Sequence, residues 1–422
     1  MHCRIPRVPT VVVLAAACLV PSVVAATPSQ AAPAADPGVI LEWKAIAART
    51  IAENATSIPV SGLYYGFVSI AVYDAVVAIK GGYEPYAAQP PAPQASPEVA
   101  AATAAYRVLS HYFPASAEKL AQDYSASLAD VANGAGLAQG QRVGQAAADA
   151  IIRLRQDDGR DAPIVLDVDP APGLWRPTPT AFAPMLAPWL GFVEPLALKS
   201  PSQIRLPGPD ALDTDAYARD FAEVKAYGSK DGSARTAAQT ETAMFFNFNS
   251  VLQYQMGLRD QVTRRGLNIV ASARAFALLD TAAADALIAC WRAKYDYAYW
   301  RPVTAIRLAD TDGNPATAPD PGWTPLVPTP PYPEYTSGHA CITGAASHTF
   351  DYLFGDGPLD LDLYSDVTKT TRHYDSAVAL DEEAMNARIW LGLHFRKAMT
   401  DGNRLGHAVS ERALTHYFQP IG

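Results

Sequence analysis

The chain has 422 residues, a net charge of −9, and aliphatic and aromatic residues at 49%. That apolar content supports a sizeable core and excludes wholesale disorder. The acidic balance excludes a broad cationic face of the kind that displaces counterions from nucleic acid or adsorbs to anionic lipid. Proline, at 35 residues, exceeds its usual roughly 5% share, so long ordered connectors are expected, because helix interiors exclude it.

Residues 1–31 read as an export signal, with basic Arg4 and Arg7, an apolar stretch from Val8 to Ala26, and small residues for cleavage after Ala26 or Ala31. A secreted, extracytoplasmic protein is therefore expected. No later segment shows about 18 uncharged apolar residues, so a soluble mature form without stable membrane association is expected. Cys3 and Cys18 leave with the signal. Cys290 and Cys341 remain and read as two small buried side chains, with a bridge between them as the alternative.

The remaining chain reads as helices separated by proline-rich connectors. Apolar residues keep a helical period over Ile40–Asn54 and Leu63–Ile79, the second stopped by Gly81 and Gly82. Ser96-Pro97-Glu98 opens a helix running to Pro114, and Ser116–Val131 and Gln139–Arg155 follow. A connector from Asp157 to Leu212 carries Trp175 and Trp189. Helical patterning resumes over Thr214–Tyr227, Arg235–Phe246 and Ser250–Trp300, with a break near Arg264–Gly266. A second connector spans Gly313–Tyr335, and helices are expected at Ser337–Phe354, Asp381–Thr400 and Asn403–Phe418. Period-two strand patterns are scarce. The expected class is all-α, two packed helical bundles at 32–212 and 213–422, with the functional site in the second.

Three short patterns border the connectors of the last third. In Lys294-x6-Arg301-Pro302 the cations stand two helical turns apart and could share one face, and Pro302 should end the helix at Arg301. Taken alone, such cations usually just complement a helix dipole. In Tyr335-Thr336-Ser337-Gly338-His339, a helix N-terminus with free N–H groups, a hydroxyl and a close-approach glycine suits a tetrahedral oxyanion, although Ser337 alone could be an ordinary N-cap. In Arg388-x5-His394, an arginine and a histidine on an apolar helix are costly to bury without a partner, which an anion would supply; the plainer alternative is a pair snorkelling from the helix edge. Asp375, Asp381, Glu382 and Glu383 read as a solvated run, and Tyr295, Tyr297 and Tyr299 as packing at the bundle edge.

Together the order and spacing resemble the signature shared by vanadium-dependent haloperoxidases and type 2 phosphatidic acid phosphatases, strictly over Lys294–His394. The resemblance implies that Lys294, Arg301, Ser337, Gly338 and Arg388 surround vanadate, or phosphate in the same place. His394 would bond the central atom, as metal ligand or as phosphorylated nucleophile, and His339 would be the acid–base residue. It further implies hydrogen peroxide, halide and a small organic acceptor as reactants. Chain length and the contexts around Lys294 and Tyr332 resemble the bacterial haloperoxidase-like branch, and Tyr332 stands where the family commonly has Phe or His, a position that affects halide handling. The secreted phosphatase, or a catalytically weak anion binder, is the alternative. Three positions depart from the pattern: Thr336 for proline, Ala387 for serine, and Ala398 for the aspartate four residues after the second histidine. The last departure leaves His394 without its expected orienting carboxylate. Asp401 is too far along the helix to take that place.

Overall fold

Capping and chain-breaking residues set the helix boundaries, and the structure, a computed structural model, describes residues 36–129 and 135–421 together with positions 1, 2 and 9. The expected export signal falls, apart from those isolated positions, outside the described residues. The N-terminal half holds α1 (Gly38–Glu53), α2 (Ile58–Lys80), α3 (Pro97–Tyr112), α4 (Ala117–Ala129) and α5 (Ala135–Leu154). At the start of α3, Ser96 Oγ accepts the Val99 N–H at 3.2 Å and Pro97 fills the first turn, the capping chemistry expected from the sequence. By length and composition α2 could cross a bilayer, contrary to the expectation of no such segment, but it is buried inside the protein along most of its length.

The second half holds α6 (Asp215–Tyr227), α7 (Ala237–Phe245), α8 (Ser250–Arg265), α9 (Ile269–Tyr297), α10 (Pro302–Arg307) and α11 (Gly338–Phe354). After these come β1 (Leu361–Ser365), β2 (Thr370–Tyr374), α12 (Ala377–Trp390) and α13 (Arg396–His416). The break between α8 and α9 falls where it was expected, with Gly266 left-handed at φ 60°. The short antiparallel pair, Leu361 opposite Tyr374, was not expected. Only β1 alternates buried and half-buried residues, and ten residues of hairpin are too few for a clear period-two signal.

Helix α9 is the spine. It is buried along nearly its whole length and packs against α2, α11 and α13, so one core cluster runs from Ile40 to Phe418. Ala35–Gly422 forms one compact unit, and the expected 212/213 boundary falls in the turn before α6. Two buried carboxylates on α9 tie other elements to it. Asp280 pairs with Lys44 of α1 at 2.5 Å. Asp285 accepts the N–H groups of Leu196, Ala197 and Leu198 at 2.6, 2.7 and 2.8 Å, fastening the first connector to the spine. The tyrosine hydroxyls at 295, 297 and 299 donate to Val165, Leu206 and Asp210 carbonyls of that same connector.

The expected single helix over Asp381–Thr400 is in fact two. Helix α12 stops at Trp390, residues 391–395 form a turn, and α13 starts at Arg396. Gly392 adopts φ 78°, and a Cβ there would lie 2.5 Å from the Gly228 carbonyl oxygen and 2.9 Å from Pro325. Apolar periodicity continues through the turn because Leu391, Leu393 and Phe395 are all buried, which hides the break. Asp381 is not solvated either: it is 7% exposed, and its carboxylate bonds Ser347 at 2.8 Å and His407 at 2.7 Å.

Helices α11 and α13 cross at glycines. A Cβ on Gly406 would sit 2.2 Å from the Cys341 carbonyl oxygen, and one on Gly344 2.3 Å from that of Asn403. Backbone cannot yield as a side-chain tip can. Gly406→Ala is expected to lower stability in urea denaturation by about 1–3 kcal/mol, the usual cost of overpacking, despite the better helix propensity of alanine.

Candidate active site

Four segments converge around His394. Lys294 lies in the last turn of α9, which ends at Tyr297 with Ala298 left-handed at φ 43°. Arg301 is therefore not on the same helix face as Lys294. It is the N-cap of α10, extended at φ −79°, ψ 154°, as the following Pro302 requires. Ser337 caps α11, with Gly338 and His339 in its first turn, and Arg388 lies in the last turn of α12. His394 belongs to the turn before α13.

Lys294, Arg301, Arg388, Ser337 and His394 are all at most 3% exposed, while Gly338 and His339 are only half-buried and form the open side. Arg301 Nε donates to the Tyr332 carbonyl at 2.8 Å and Nη1 to the Leu393 carbonyl at 2.9 Å; Nη1 also lies 3.2 Å from His394 Nε2. Arg388 Nη1 donates to the Phe246 carbonyl at 3.0 Å, and His339 Nε2 lies 3.4 Å from the Phe248 carbonyl, so one short loop tethers both. Two donors are left over: Arg301 Nη2 and Arg388 Nε are buried with no hydrogen-bond partner. A buried charged donor without a partner costs more than the roughly 1–3 kcal/mol of a neutral one, so the pocket is built for an acceptor, and an anion supplies it.

Lys294 is placed differently from its expected role. Its three N–H bonds go to the carbonyls of Pro333, at 2.8 Å, Glu334, at 3.1 Å, and Thr336, which uses every donor an ammonium has. Its charge acts on the pocket at range, while its hydrogen bonds hold the end of the second connector. Tyr332, on that connector, lies under both cations, 5.0 Å from Lys294 Nζ and 4.9 Å from the Arg301 guanidinium carbon, and its ring is 4.9 Å from that of Trp291. Ser337 Oγ accepts the Ala340 N–H at 3.4 Å and keeps its own O–H to donate, so the N-cap and anion-binding readings are compatible.

The sequence reading missed Glu334. Its Oε1 lies 2.9 Å from His394 Nδ1 and accepts the Phe395 N–H at 3.0 Å, and the residue is 1% exposed. His394 thus has an orienting carboxylate after all, from the connector instead of α13. A signal was present: Glu334 is the only Asp, Glu, Lys or Arg between Asp320 and Asp351. Asp401 instead accepts from the Tyr335 hydroxyl at 2.7 Å.

Cys290 and Cys341, both buried and unbridged, flank Thr336. Its hydroxyl lies 3.3 Å from one sulfur and 3.4 Å from the other.

Burial, reinforced by the pocket's positive charge, keeps both histidines neutral. Burial, then the Arg301 charge, pushes His394 well below the ordinary imidazole range. Burial, then Arg388, does the same to His339. Burial also lowers Lys294 to about 8 and Arg388 to about 10. A neutral His394 keeps a lone pair on Nε2 to bond an electrophilic centre, and a neutral His339 can accept a proton. The unpaired guanidinium donors, the Ser337 hydroxyl and the free N–H groups of the first turn of α11 fit a tetrahedral oxyanion, vanadate or phosphate, bonded through that lone pair.

An all-α protein with a histidine facing a cationic oxyanion cradle is the class defined here, and comparison with known proteins narrows it. The family model described as the VCPO second helical-bundle domain matches residues 274–422. Vanadium chloroperoxidase of Curvularia inaequalis is 30% identical over 171 residues, covering 29% of this chain and 27% of that protein, so the chain matches about a quarter of that relative's length. Among solved structures, a bacterial vanadium-dependent iodoperoxidase superposes with a TM-score of 0.79 at 22% identity, covering 92% of this chain and 98% of that one. A holo-type bacterial vanadium-dependent chloroperoxidase gives 0.68 at 18% identity, covering 85% and 91%. Residues 274–422 thus match the second helical-bundle domain of that family, and the fold of the chain is the one seen in the bacterial vanadium-dependent haloperoxidases.

Anion binding should follow the pocket's charge. An anion favours the protonated ammonium, so affinity is highest below the Lys294 transition and falls as pH rises through it. Tungstate, a tetrahedral dianion across this range, should therefore bind progressively more weakly from about pH 7 to about pH 9.5 in calorimetric titrations. Arg388→Ala should weaken it about 10–100-fold at neutral pH, the effect of losing one charge-assisted hydrogen bond. Affinity that ignores both pH and Arg388 would contradict the assigned cradle.

Proposed function

We propose that the protein is a secreted vanadium-dependent haloperoxidase that uses hydrogen peroxide to oxidise halide: halide, peroxide and one proton give hypohalous acid and water, and the acid halogenates a small organic acceptor. The observation that carries this reading is the neutral, carboxylate-oriented His394 beside two buried guanidinium donors that lack partners. The named relatives, a chloroperoxidase and an iodoperoxidase, agree with it, and the basic and apolar pattern of residues 1–31 supports export.

Bound vanadate would supply a Lewis-acidic centre that activates peroxide for oxygen transfer. The chain's own groups do the rest. His394 Nε2 would anchor the oxyanion, Arg301 and Arg388 would neutralise its charge, and Ser337 and the Gly338 N–H would complete the hydrogen bonding. His339, at the open side, accepts a proton from entering peroxide and returns one to the leaving oxygen, which its depressed basicity permits without a trapped imidazolium. Tyr332 and Trp291 wall the pocket with aromatic surface and limit water beside the cations.

A second reading is favoured by the same donors, which fit phosphate equally well: a phosphatase in which His394 attacks phosphorus and His339 protonates the leaving alkoxide. One sample separates the readings. Protein titrated with orthovanadate should brominate or iodinate an indicator phenol in the presence of peroxide, and His394→Ala should abolish it. Release of nitrophenol from nitrophenyl phosphate by vanadate-free protein, lost in His394→Ala, with no halogenation after vanadate loading, would establish the phosphatase instead. Tight anion binding with neither activity would identify a binding protein.

A further inference from the structure

We infer that Glu334 is the positioning residue for His394 and takes over, from the connector, the task of the carboxylate that Ala398 leaves off α13; the inference rests on the assignment of His394 as the anion's bonding residue.

The hydrogen-bond pattern assigns the imidazole's tautomer. Glu334 Oε1 already accepts the Phe395 N–H at 3.0 Å and lies 2.9 Å from His394 Nδ1. Arg301 Nη1, which can only donate, lies 3.2 Å from Nε2, so Nε2 carries the lone pair on the cradle side and the proton sits on Nδ1, facing the Glu334 oxygen. The opposite tautomer would set lone pair against lone pair at Glu334 and N–H against N–H at Arg301.

Glu334 is itself held rigidly. Its N–H donates to the Tyr299 carbonyl at 2.9 Å, and its carbonyl accepts Lys294 Nζ at 3.1 Å. Lys294 therefore fixes the backbone that fixes the carboxylate that fixes His394, and the first and third sequence patterns meet through a residue that belongs to neither. On the other side, Ala398, Glu334, Tyr335, Phe395 and Asp220 line a small cavity of about 10 Å³. Ala398 and Glu334 thus face one cavity, so an acid introduced at 398 opens onto the space beside Glu334.

The effect expected of such a positioning group is about 10–100-fold in anion affinity or turnover. Glu334→Ala should weaken phosphate and orthovanadate binding by that factor. In ¹⁵N-histidine NMR it should convert His394 from the Nδ1–H form to a tautomer mixture, a change that mere loosening of packing would not produce. Glu334→Gln keeps an amide oxygen in place and should retain the wild-type tautomer. Adding Ala398→Asp to Glu334→Ala should recover most of the affinity. A wild-type His394 in the Nε2–H form would overturn the inference without any mutant. So would a folded Glu334→Ala protein with unchanged tautomer and unchanged affinity. Should Glu334→Ala fail to fold, the tautomers of the wild type and of Glu334→Gln still decide. The proposed function fails separately: no halide turnover by vanadate-loaded wild type, with the tautomer and affinity shifts present, sinks the peroxidase reading and leaves Glu334 in its place.

Discussion

Three cations buried within one pocket, with a single carboxylate among them, are the constraint to which the rest of this structure answers. Lys294, Arg301 and Arg388 are each at most 3% exposed, and the Glu334 carboxylate forms an ion pair with none of them; it faces His394. Burying charge without a partner is among the most expensive arrangements a fold can hold. The protein meets that cost by spending backbone carbonyls. Those of Pro333, Glu334 and Thr336 take Lys294, those of Tyr332 and Leu393 take Arg301, and that of Phe246 takes Arg388. The connectors and the 391–395 turn can offer those carbonyls because they are not helical, so their oxygens are not already bonded within a helix.

This explains why an all-α protein carries so much proline. Proline keeps the second connector non-helical where it approaches the site, so its carbonyls are free to accept from neighbouring elements. The bundles supply rigidity through α9 and the close α11–α13 crossing, and the irregular segments supply acceptors. The acidic surface charge and the cationic pocket do not conflict, since the positive groups are a small minority placed where water is excluded and their influence on His339 and His394 is strongest.

The orienting carboxylate shows how a family pattern can be read correctly and still mislead. Ala398 implied that His394 lacked a partner, because the pattern looks for an acid one helical turn after the histidine. Position 398 carries no acid, and a connector residue sixty positions before His394 reaches Nδ1 instead. Hydrogen bonding depends on distance and direction in space, so an acceptor can arrive from any element that packs there.

From the sequence alone came the helical class, most helix boundaries, the two connectors and the seven candidate residues of the last third. Each rests on local chemistry: caps, glycine and proline stops, 3.6-residue periodicity, and short spacings of cations and histidines. Only tertiary structure decided that Lys294 spends its donors on backbone, that Arg388 and His394 lie on different elements, that Asp381 is buried, and that Glu334 orients the histidine. These follow from which non-local segments pack together once the core closes, and the apolar positions that drive packing in the 391–395 turn look the same in sequence whether the chain there is helix or turn.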